Sequence, residues 1–190
     1  MLSLFFAAGI SLYVSKVSAQ AFTPTVSSPV FGQTVENGVQ TIVNGGIAIA
    51  GAVGSGGSQL VSSGGATNGT TVNSGGIEIV YSSGLAFGTV INNNAVENIS
   101  EGGSDVSATI NSAGTQNIYS GGIAIRTTVN SAGTQNISGG GSATSAVISG
   151  AGIQNISSGG AALSTTLSNG TQTIFRGGLA SSTLVSGGVQ

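Results

Sequence analysis

The sequence predicts an all-β chain: a parallel β-helix, or β-solenoid, of about nine coils of about nineteen residues each. Three observations predict it. An apolar residue recurs on a fixed period, glycine pairs separate short β-branched runs, and both prolines (Pro24 and Pro29) precede the periodic region. A fixed period in this range marks an architecture in which each repeat is one structural unit stacked on its neighbours.

The period is carried by Val35, Val53, Val72, Ile91, Ile110, Val129, Ile148, Leu167 and Val185, at spacings of 18 or 19 residues. Runs such as Ile77-Glu78-Ile79-Val80 and Thr127-Thr128-Val129 are β-branched and bounded by glycine, so they read as strands. Glycine pairs such as Gly64-Gly65 and Gly121-Gly122 read as corners, where a positive φ carries no steric cost. Glycine recurs too often for any ten-residue helix. Two or three short strands per unit close one coil, and coils stacked about 4.8 Å apart give a rod on the order of 40 Å long. Proline inside such a ladder would remove an N–H from it, so its absence from the array fits the stack.

Equivalent positions of a stacked coil lie above one another. The apolar openers form one core column, and Ile42, Val61, Val80, Ile99, Ile118, Ile137, Ile156 and Ile174 form a second. Two residues before the second column runs Gln40, Gln59, Glu78, Glu97, Gln116, Gln135, Gln154 and Gln172. Period-two alternation turns this column inward or toward a corner, where stacked amides can form a hydrogen-bonded ladder. Glu78 and Glu97 break it. The expectation is a corner at which both carboxylates reach water; a dry site would raise one pKa. A further column holds Ala48, Thr67, Ala86, Asp105, Ala124, Ala143, Ala162 and Ala180. Tyr81, Tyr119 and Phe175 follow the second core column and fall outside the core face, which makes them candidate surface contacts.

Composition excludes several chemistries. Only 4% of residues are charged, and Lys16, Arg126 and Arg176 are the basic set, too few to neutralise a nucleic-acid backbone. Without histidine or cysteine, neither a Ser–His–Asp triad nor a zinc site with those ligands can be built, so no cofactor or metal is expected. Only Gly102-Gly103-Ser104-Asp105 approaches a calcium β-roll motif, and no other unit repeats the aspartate. A polysaccharide-cleaving site needs clustered carboxylates or a basic residue beside a carboxylate, and Arg126 and Arg176 have no acid between them. The recurrent threonines (Thr70, Thr89, Thr127, Thr165 and Thr183), interrupted by Ala108 and Ala146, leave an ice-binding wall as one reading.

Leu2 to Val14 is an apolar run too short to span a bilayer, and Val17-Ser18-Ala19 follows it with small residues suited to signal-peptidase cleavage. The organisation read from the chain is a signal peptide at 1–19, a lead-in at 20–34 and the repeat array at 35–190.

The repeat, carried by Thr71-Val72-Asn73-Ser74-Gly75-Gly76-Ile77-Glu78-Ile79-Val80-Tyr81-Ser82-Ser83-Gly84 and again from Thr109 to Gly122, resembles the passenger repeats of AIDA-type (diffuse-adherence) autotransporter adhesins. The resemblance covers about residues 33 to 190. It implies a right-handed β-helix, exported to the cell surface or outer membrane, without catalysis. The implied partners are host-cell or bacterial receptors and glycans, or other copies of the protein, with glycosylation of serine and threonine in some members. The family's membrane-anchoring C-terminal β-barrel is not seen after the repeats, and the array stops mid-unit at Gln190, so a truncated passenger is expected. A functional-amyloid or matrix structural repeat protein is the alternative, and behind it a fragment of a polysaccharide-active β-helix enzyme.

Overall fold

The computed structural model describes residues 22–119 and 121–190; the expected signal peptide lies outside them. Each coil contributes three strands, as in Ile77–Val80, Leu85–Phe87 and Val90–Ile91. Each inner strand pairs in parallel with its equivalents one coil before and after: Glu78 sits opposite Gln59 on one side and Glu97 on the other. The result is a β-solenoid of three parallel sheets with ten, nine and nine strands, and no helix among the described residues. Stacking starts ahead of Val35, because Thr25 pairs with Thr41, Pro29 with Ile47 and Thr34 with Ala52. Pro29 opens an edge strand, the place in a sheet where a missing N–H is tolerated.

Alternation decides what each strand buries. In the four-residue strands of the first sheet, the second and fourth residues point inward, as in Glu78 and Val80. In the second and third sheets the second residue does so, as in Ala86 and Ile91. Both aliphatic columns are fully enclosed from Val35 to Leu167 and from Ile42 to Ile156. Each enclosed branched side chain is worth roughly 1.5–3 kcal/mol of transfer free energy. The alanine column is a third interior wall: Ala48, Ala86, Ala124, Ala143 and Ala162 are all buried and pack on the isoleucine column.

The two glycines of a corner do different work. Gly140 is in the left-handed region at φ 92°, while Gly141 is not, yet a Cβ on Gly141 would lie 2.3 Å from the Ile118 carbonyl oxygen one coil below. The positive-φ place accepts other residues, with Asn94 at 59°, Ala113 at 59° and Ala132 at 61°. The corner expectation from sequence therefore holds for the first glycine; at the Gly140–Gly141 corner the second is there because adjacent coils approach closely, whereas the corner that enters the first sheet accepts Ala95 at the equivalent place.

Candidate functional site

The glutamine column points inward and forms a ladder with one polarity. Each Nε2 donates to the Oε1 of the preceding coil: Gln59 to Gln40, Gln135 to Gln116 and Gln154 to Gln135, each at 2.7 Å, then Gln172 to Gln154 at 2.6 Å. The threonine column closes the ladder from the side. Thr70, Thr127 and Thr165 donate to the Oε1 atoms of Gln59, Gln116 and Gln154 at 3.2–3.3 Å. These threonines are at most 1% exposed, so the ice-binding reading is wrong. The chain turns its hydroxyls inward because the buried amide oxygens require a second donor.

Glu78 and Glu97 sit in this ladder at 0% exposure, not at a wet corner as expected. The alternation that turns glutamine inward turns them inward too. A third carboxylate joins them. Asp105 occupies the alanine column of the second sheet, 1% exposed, and faces the ladder across the interior. Thr67 and Thr89 donate to the two oxygens of Glu78 at 2.9 and 3.0 Å. Gln116 Nε2 bridges the other two acids, donating to Glu97 Oε2 at 2.7 Å and to Asp105 Oδ2 at 3.0 Å. Glu97 and Asp105 thus share one donor, and Glu97 Oε1 and Asp105 Oδ1 are left buried without a hydrogen-bond partner.

Burial pushes the Glu78 carboxyl up to about 7, against the hydrogen bonds from Thr67 and Thr89. Glu97 is raised well above the usual carboxylate range by burial, then by the charges of Asp105 and Glu78. Asp105 is pushed up to about 8 by burial and by Glu78. Three acids with raised pKa values are a composition suited to acid–base chemistry. Their enclosure decides otherwise, because no substrate reaches side chains that are at most 1% exposed. Among the described residues no group of three His, Cys, Asp or Glu side chains is placed to hold a metal ion.

The outer walls are the accessible surface. Tyr81, Tyr119 and Phe175 share one edge, since their backbone N–H groups bond the preceding coil in the same way as Ser100, Ser138 and Ser157 between them. Tyr119 is half-buried and its hydroxyl donates to Asn98 Oδ1 at 2.8 Å, whereas Phe175 is 52% exposed. Two asparagine ladders line the walls. Asn98, Asn117, Asn136 and Asn155 link at 2.9–3.0 Å, and Asn73, Asn92, Asn111 and Asn130 link at 3.1–3.4 Å. Their spacing of nineteen was present in the sequence and passes unremarked in the column reading. The outer face of the second sheet is apolar: Phe31, Leu85, Phe87, Ile123, Leu163 and Leu179 are each 38–70% exposed.

No family model and no curated protein sequence matches the chain. Among solved structures it is similar to a TibC-catalysed, hyper-glycosylated fragment of TibA spanning that protein's residues 55–350. The TM-score is 0.62 and the identity 34%, over 87% of this chain and 82% of that fragment. The chain belongs to the TibA family. For a TibA-family β-solenoid, the exposed hydroxyls acquire interest. One corner column has a left-handed backbone in every coil from Ala50 onward, and it presents exposed Ser145, Ser164 and Ser182 at φ 55–57°.

Proposed function

We propose that the chain is a non-catalytic, surface-displayed adhesin or aggregation passenger module, whose task is to present long, repetitive walls to a cell surface or to other copies. The observation that carries this reading is the match to TibA across 87% of the chain, in register with the resemblance of the repeats to AIDA-type passengers. The walls agree with it: they are nearly uncharged, laddered with asparagine, and apolar along the second sheet. A large exposed apolar face is the informative departure for a folded chain, and it marks contact surfaces.

Glycosylation belongs to the same proposal, because the TibA fragment is a TibC product. The acceptors would be exposed hydroxyls such as Ser145, Ser164 and Ser182, while Thr70, Thr89, Thr127 and Thr165 are sealed in the interior. The amyloid alternative is less well supported, since the strands already pair with their own chain one coil away.

Two measurements test the proposal. Beads coated with the chain should clump or adhere to cultured cells, and blocking the second-sheet face with Leu85→Glu and Phe87→Glu should weaken this at least several-fold. Inert beads would sink the adhesive reading. Co-expression with TibC followed by peptide mass mapping should add sugar to exposed corner serines; an unmodified chain would remove that part.

A further inference from the structure

We propose that the Glu78–Glu97–Asp105 cluster is folded into the rod with its carboxyls protonated, and that release of these protons loosens this section of the stack. The inference is independent of the adhesive reading.

The ladder itself argues for it. Its polarity asks every coil for a donor directed at the coil before, and glutamine supplies one through Nε2. Glu78 lies in register with Gln59, and Glu97 with Glu78, but a carboxylate has no hydrogen to donate. A carboxylic acid does. Glu97 Oε1 and Asp105 Oδ1 are moreover buried oxygens with no donor from the rest of the protein. Protons on these carboxyls supply the donors that the surroundings lack.

The neighbours give Glu78 two hydroxyl donors, Thr67 and Thr89, but give the cluster no positive charge. From the first sheet the cluster meets Gln59 and Gln116, and from the second Thr67, Ala86 and Ala124. The threonine column adds Thr89, with Ala108 at the next coil. All are uncharged, and Arg126 and Arg176 are exposed at the surface. Three buried negative charges without a cation are strongly disfavoured, and neutral acids far less so.

The direction of the pH effect follows. The folded groups hold their protons to about 7 for Glu78 and about 8 for Asp105, while the unfolded chain releases them near the ordinary values of 4.5 and 3.8. The native state therefore binds more protons across that window. Stability is greatest in acid and falls as pH rises from about 4 to about 8.

Hydrogen–deuterium exchange on the full chain, corrected for the intrinsic pH dependence of exchange, reads this locally. Between pH 5 and pH 9 the opening constant of strands Ile77–Val80, Val96–Ile99 and Ser104–Val106 should rise about 100-fold from Glu78 alone. The triple variant Glu78→Gln, Glu97→Gln, Asp105→Ala carries the residues that most other coils have at these positions, and it should exchange equally at both pH values. Glu101→Gln, at an exposed corner, should behave as the wild type. A wild-type chain with equal protection at both pH values would overturn the proposal. So would a triple variant that keeps the pH response or fails to fold, because an uncharged ladder should stack at least as well.

Discussion

Replacing Gly141 by alanine probes the tightest constraint in the fold. The new Cβ would lie 2.3 Å from the Ile118 carbonyl oxygen and 2.6 Å from its carbon, where ordinary contact begins at 3.4 Å. Relief requires the coils to part locally by about 1 Å, since the obstacle is backbone and cannot rotate away. Ser138 N–H to Ile118 and Ser142 N–H to Gly122 cross this gap, both at 3.0 Å, and neither survives that separation. Two lost bonds at about 1 kcal/mol each, plus residual strain, give a destabilisation of about 3 kcal/mol. Gly140→Ala is the internal control. Its Cβ would meet only Gly121 N at 4.0 Å, so its cost is the left-handed backbone penalty, offset by the loss of freedom in the unfolded chain. That difference is about 1 kcal/mol. Circular dichroism in urea, with local hydrogen exchange where the repeat array departs from two-state behaviour, compares them. Equal midpoints, or a larger loss for Gly140→Ala, would refute close approach as the reason for the second glycine.

Other consequences can be measured in the same way. Gln135→Ala leaves Gln154 Nε2 buried without an acceptor and Gln116 Oε1 with Thr127 alone, and should cost about 2 kcal/mol, whereas Asn136→Ala on the outer wall should cost under about 1 kcal/mol in the same urea titration. Ile118→Ala, at 0% exposure, should lose about 3 kcal/mol through the cavity it leaves. Thr89→Val removes a hydrogen bond that holds the Glu78 pKa down, so the pH at which stability falls should move upward in a series of melts.

The sequence made the coil legible because its two aliphatic columns and glutamine column repeat with the strand alternation, and Ile118 and Gln116 lie where that alternation places them. The alanine column escaped notice as an interior wall, since alanine in a chain so rich in glycine and serine carries no burial signal of its own. Asp105 was missed for a related reason. It meets Gln116 eleven residues later, across a corner at Ser107 whose left-handed backbone resets the alternation. Alternation runs reliably along Ile77–Val80 but does not say how one sheet faces the next. For the same reason Thr89 reads as surface in sequence and is interior in the fold.

The three sheets have a mechanical consequence. Their hydrogen bonds run along the axis of the rod, from each coil to the next. A pull along the axis therefore loads these bonds in tension. Each coil that lets go replaces about 5 Å of rod with about 65 Å of extended chain, from nineteen residues at some 3.4 Å apiece. Under load the rod pays out slack in equal steps, and it lengthens by detaching coils instead of failing all at once.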